Sequence, residues 1–187
     1  MNARLHLGMR MSAQSSSPRE LRQAAMFGGH WDVECRDKDG NVKWRDTVKN
    51  IVVNAGLNHL LDVALSAATQ ITTWSIGLLS ATPTVAAGDT MSSHAGWTEV
   101  QAYDEANRVA WSDGGVSGQS VSNSGSPAAF TVNANGTQIG GAFLISSNTK
   151  GGTTGTLYAA GAFTAGNKDL DDNDVLTVTA TFTSAAS

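Results

Sequence analysis

The chain has 187 residues, 41% of them hydrophobic and 15% charged, with a formal net charge of −4 and one cysteine. That length suits one ordinary domain with an appendage and excludes two comfortable domains, and the lone Cys35 excludes an intramolecular disulfide framework. Low charge, 20 glycines and abundant Ser, Thr, Ala and Asn favour strands with tight turns over long solvated helices, so the composition predicts a mainly β chain.

The charge is unevenly spread. Residues 1–49 carry nine of the twelve Lys/Arg and six of the sixteen Asp/Glu, a balance of +3, whereas residues 50–187 carry three and ten, a balance of −7. A basic front on an acidic body fits docking onto another protein and lacks the concentrated basic face that nucleic acid requires. No apolar run reaches membrane-spanning length, and the segment after Arg10 is polar where a signal peptide carries its apolar stretch. The expectation is a protein made in a cytoplasm, with neither a membrane nor a nucleic acid as partner.

Residues 1–30 read as an N-terminal arm distinct from a β-domain at 31–187. Ser17 can cap and Pro18 can open a short helix over 18–27, with Leu21, Ala24 and Ala25 on one face. Arg4, Arg10, Arg19, Leu21, Arg22, Met26 and Phe27 are the arm's candidate partner-contact residues. Next comes a hairpin, in which Trp31–Arg36 and Val42–Val48 alternate around a turn at Asp37–Gly40 and place Trp31 and Trp44 for cross-strand packing. Asn54 is a candidate cap for one amphipathic helix, about 54–68, whose stripe is Leu57, Leu60, Leu61, Ala64 and Leu65. Such a helix plugs an end of the β-fold or lies over one sheet, with His59 off the stripe and solvated or locally hydrogen-bonded.

Thr72–Leu79 reads as a buried strand, with weaker ones at Trp97–Val100 and Asn107–Trp111. The Gly/Ser-rich 113–126 reads as a loop, followed by a strand at Ala128–Val132 and a turn at Asn135-Gly136. The last third repeats Gly-Ala-Phe at 141–143 and 161–163 and ends in Val175–Thr183, where Leu176, Val178, Ala180 and Phe182 share one face; it reads as a β-meander with the repeats on neighbouring strands. About eight to ten strands make a single antiparallel β-sandwich or jelly-roll-like domain.

The chemistry-bearing patterns are weak. Metalloprotease, nucleophile-elbow, Walker, Rossmann and Cys-x-x-Cys signatures are missing, and His6, His30, His59 and His94 lack metal-ligand spacing. Asp169–Asp174 has the alternating oxygens of a calcium loop but neither its glycine nor its bidentate Glu, so it reads as an acidic turn. Ser92, His94 and Glu99 lie close in sequence without an oxyanion loop, and Trp97 makes that stretch a packed loop. Lys150–Gly155 has a phosphate cradle's composition without the helix that would complete it. Trp97, Tyr103 and Trp111 are the candidate ligand-stacking rings if exposed. No catalytic residue, metal site or cofactor is expected.

One whole-chain likeness runs through Asn50–Asp62, Trp74–Leu78, Asp89–Glu99, Gly140–Leu144 and Thr149–Tyr158. It resembles a family of small tail-fibre-related virion structural proteins of tailed bacteriophages and prophages, over roughly residues 31–184. The resemblance implies a non-enzymatic structural protein of the virion. In that role it is a β-module of a tail fibre or appendage that forms homo-oligomers and contacts other virion proteins through its arm, with a host surface receptor as a further candidate partner. A receptor- or carbohydrate-binding module and a capsid decoration protein are the alternatives.

Overall fold

The computed structural model describes residues 25–186. β1 (Ala25–Arg36) and β2 (Val42–Val52) form the hairpin, with Gly40 at positive φ in its turn, and α1 (Asn54–Leu65) follows directly. β3 (Ser75–Leu79), β4 (Glu99–Val100), β5 (Val109–Ala110), β6 (Ser120–Ser122), β7 (Ala128–Thr131), β8 (Thr137–Ile139), β9 (Gly141–Ile145), β10 (Leu157–Phe163), β11 (Lys168–Leu170) and β12 (Val175–Ala186) follow. Ten strands form one antiparallel sheet in the order β4-β3-β9-β10-β2-β1-β12-β6, with β5 beside β3 and β7 beside β12. β8 and β11 make a separate pair. The architecture is mainly β and sandwich-like, with one helix, as composition and periodicity predict.

The sheet closes on a core because its strands alternate. In β12 Leu176, Val178 and Ala180 are fully buried, and they meet Val33, Ile76, Leu78, Phe130 and Leu144 between the layers. A second cluster lies on the other face of β3, β9 and β10, where Leu79, Phe143, Ile145 and Ala160 are covered by Val53, Met91 and Trp97. Burial on both faces is why β3 and β9 are buried at every residue and read as unbroken apolar runs.

The two Gly-Ala-Phe copies do face each other, Gly141 opposite Ala162 and Ala142 opposite Gly161. Their rings point to opposite faces, Phe163 into the first cluster and Phe143 into the second. The expected meander is corrected, because β2 and β1 stand between β10 and β12. Alternation specifies which face of a strand is buried and leaves its neighbours open, so the N-terminal hairpin could take the central place. Trp31 and Trp44 also fail to pack together, since Trp31 faces Val48 and Trp44 faces Cys35. Trp44 turns to Phe163, 5.9 Å between ring centroids.

Three further boundaries change. Residues 25–30 belong to β1, paired with β12 from Ala25↔Ala186 to His30↔Thr181, so the helix expected over 18–27 does not extend into 25–27 and the β-body begins before residue 31. The expected loop 113–126 contains β6, which pairs with Thr181–Thr183. The helix ends at Leu65, and its N-cap is Val53, which makes no side-chain cap. There Val53 N–H donates to the Tyr158 carbonyl and Asn54 N–H to that of Ala87, so tertiary contacts replace the cap.

Strand pairing then opens one end of the sandwich. β1 and β2 pair only from Arg36↔Val42, across a bulge between Cys35 and Arg36, back to Trp31↔Val48. Beyond that pair Ala25–His30 continues against β12 alone, and Lys49–Val52 continues against β10. The layers part at this fork, and α1 lies at the end they open, reached within two residues of the end of β2.

Candidate functional site

Gly56 sets how α1 sits on the body. A Cβ there would run into the carbonyl of Tyr158, so only glycine lets the first turn lie directly on β10. The face turned inward is Ala55, Gly56, His59, Leu60 and Val63, all buried or half-buried. The expected inward stripe is therefore corrected: Leu57, Leu61 and Leu65 are 36%, 57% and 81% exposed. At 100° per residue, the apolar arc from Val63 round to Leu65 spans about 200°. A helix that buries one face needs roughly half of that, which leaves an apolar flank turned outward.

Between α1 and the parted layers lies a cavity of about 280 Å³, lined chiefly by Leu60, Val63, Trp74, Trp111, Tyr158 and Phe182. Its walls are a chain of edge-on aromatic contacts, with ring centroids 5.7 Å apart for His59–Trp74, 5.4 Å for Trp74–Tyr158, 5.1 Å for Tyr158–Phe182 and 5.9 Å for Phe182–Trp111. His59 is thus half-buried against Trp74, where the sequence predicted a solvated or locally hydrogen-bonded side chain. Burial raises the Tyr158 phenol above its ordinary pKa. At the fork the Asn50 amide is buried with neither its nitrogen nor its oxygen bonded among the described residues. Exposed Phe27 lies two residues along β1 from Gly29, on the face shared with Phe182, whereas exposed Met26 and Ile51 fall on the alternate faces of their strands.

The predicted stacking rings are not exposed. Trp97, Tyr103 and Trp111 keep 4%, 1% and 9% of their surface, and each is held from inside the fold. Trp111 Nε1 donates to the Ala180 carbonyl at 3.1 Å, and Trp97 Nε1 donates to Asp89 at 2.9 Å. Lys150 sits 3.9 Å from the Tyr103 ring centroid. Of the predicted contact residues, Met26 and Phe27 are exposed at the start of β1. Arg4, Arg10, Arg19, Leu21 and Arg22 lie outside the described residues.

The other polar groupings prove structural. His94 stacks on Trp97 at 3.7 Å, and Glu99 is engaged elsewhere, taking two 2.8 Å bonds from the buried Arg108. Arg108 also donates to the carbonyls of Ser147 and Gly152, and Gly151 N–H donates to Glu99, so this ion pair fastens the glycine loop after β9. In the acidic turn, Lys43 bonds Asp171 at 2.9 Å and Asp174 at 2.6 Å, and Asp174 accepts the Asp171 N–H. Those hydrogen bonds, Asp174 first, push Lys43 above its ordinary pKa. Cys35 is fully buried, and burial together with the charge of Asp174 pushes its thiol up to about 12.

Family models, curated proteins and solved structures were compared with the chain, and none matches. The meeting of Trp74, Tyr158 and Phe182 around the cavity was missed in the sequence, since they come from three separated segments. The signal that was legible is the width of the helix's apolar arc, broader than one buried face can use.

Proposed function

We propose that this chain is a non-enzymatic structural protein of a bacteriophage virion, a β-module of a tail fibre or of a tail or head appendage. It assembles with copies of itself and with neighbouring virion proteins. The observation that carries this reading is the contrast between a tightly packed body and one unfinished end. There the cavity lies under α1, whose leucines turn outward, and the face of Phe182 runs on through Gly29 to exposed Phe27, while the chain's other large rings are buried or half-buried. Exposed apolar surface gathered in one place marks an interaction surface.

The resemblance carried by Asn50–Asp62 and Asp89–Glu99 supplies the virion context. Those stretches form the helix that closes this end and the Trp97 segment that covers the second core cluster. The experiment is to purify particles from the host that makes the protein and image them with the protein labelled. Regular label on tail, fibre or head is the expected result, and particles that lack the protein would overturn the reading.

A further inference from the structure

The cavity beneath α1 is held open from both sides. One wall is a single stretch of chain from His59 to Trp74. Ser66 and Ala68 N–H both donate to the Asp62 carbonyl and Ala67 takes φ 56°, and this turn brings Gln70 and Ile71 back to line the same space as Leu60 and Val63. The other wall is the body, through Trp111, Leu144, Tyr158 and Phe182. Both walls are pinned. Gly56 lies against the Tyr158 carbonyl, Val53 N–H is bonded to it, and Trp111 Nε1 is bonded to the Ala180 carbonyl. A pocket formed in advance, with ring walls and few polar groups, is the usual shape of a small-molecule site.

The lining decides what fits. Among the described residues it contains no Lys, Arg, Asp or Glu, so a charged ligand would lose its hydration without gaining a partner. A sugar fails for a related reason, since most of its hydroxyls would meet ring and aliphatic carbon. Size narrows the choice further. An apolar cavity of about 150 Å³ accepts benzene, and this one, at about 280 Å³, has room for two fused rings. Trp74, Tyr158 and Phe182 already meet edge-on, and an entering ring extends that arrangement. Polar groups are also to hand. Trp97 and Trp111 bond their indole N–H groups inside the fold. The Trp74 indole, the Tyr158 hydroxyl and the His59 ring have no hydrogen-bond partner among the described residues, and unlike the Trp31 and Trp44 indoles they are not sealed from solvent.

We propose that this cavity binds an uncharged, planar aromatic molecule of two fused rings carrying one hydrogen-bonding group, the class to which indole and 2-naphthol belong. The rings pack among Trp74, Tyr158 and Phe182, and the polar atom is met by one of the three unpaired groups. This goes beyond the assembly reading. It concerns the inner face of α1, whereas assembly uses the outward leucines, so either stands without the other.

Calorimetric titration of the full chain with 2-naphthol, indole, 1-octanol and methyl glucoside tests the proposal. Saturable binding of one aromatic molecule per chain is expected, with 1-octanol weaker and the glucoside inert. No saturable binding of either aromatic up to its solubility limit overturns the proposal, and so does tighter binding of 1-octanol or of the glucoside. Ala64→Trp fills the cavity from an exposed position on the helix. It should weaken 2-naphthol binding by roughly tenfold or more, because the ligand's rings lose their burial. Leu61→Asp with Leu65→Asp, on the outward face, should leave binding unchanged. Binding that survives Ala64→Trp, or that a folded L61D/L65D chain has lost, places the ligand elsewhere and overturns the assignment. Without any variant, bound 2-naphthol should shift the Trp74 indole N–H resonance and leave that of Trp97 in place; the reverse pattern overturns it. A chain that binds 2-naphthol in this way yet is monomeric at every concentration sustains this proposal and overturns assembly alone.

Discussion

Arg108 shows how much one side chain holds. Its guanidinium has no exposed surface, Glu99 has 5%, and between them they fix two carbonyls and one N–H of the loop after β9. Removing one partner of such a pair leaves a buried charge alone, which costs about 3–5 kcal/mol. Arg108→Met should therefore destabilise the chain by that amount in urea unfolding, and adding Glu99→Leu should recover part of the loss. A double variant no more stable than the single one would contradict the account. At Cys35 and Tyr158 burial is the main or only cause of a raised pKa. Each keeps its proton in the folded chain at a pH where the unfolded chain has released it, so the stability it adds is present below the unfolded values, about 8.5 for a thiol and 10 for a phenol. That stability falls as pH rises toward 12. The melting temperature should be lower at pH 11 than at pH 8, and Cys35 should resist thiol reagents at pH 8 until the chain unfolds.

At the scale of elements, α1 is where the sequence was both most and least legible. Its existence followed from Leu57, Leu60, Leu61, Ala64 and Leu65, while having one stripe to bury left two places open for it, at an end of the fold or over one sheet. Its orientation did not follow, because the docking face is chosen by Gly56, which no hydrophobic count rewards. The close approach of Gly56 to Tyr158 turns Leu57 and Leu61 outward. Gly56→Ala improves helix propensity by up to about 1 kcal/mol, yet here it should destabilise the chain by roughly 1–3 kcal/mol through the clash. Increased hydrogen exchange across Asn54–Leu65 would report the lifted helix, and a more stable variant would show that the contact is soft. The β12 strand was the converse case. Its buried face was readable residue by residue, but its neighbours depended on the N-terminal hairpin more than 130 residues away in sequence.

For the whole molecule, the antiparallel sandwich was legible because alternation and turn residues agreed along the chain. The candidate site was not, since it arises where β1 and β2 part company, and nothing local in Trp31 or Val48 announces the fork. The expected stacking rings failed for a related reason: Trp97, Tyr103 and Trp111 stand in weakly patterned segments that fold back as core. At one end the body leaves an aromatic-walled cavity open, with the leucines of α1 outside it and a basic arm in the same chain. The central claim is that this end is an assembly surface. Light scattering of the full chain over a range of concentrations, beside the variant Leu61→Asp with Leu65→Asp, tests it most directly. The account predicts a homo-oligomer for the wild type and a monomer of unchanged fold for the variant. A monomeric wild type, or a variant that assembles equally well, would contradict it.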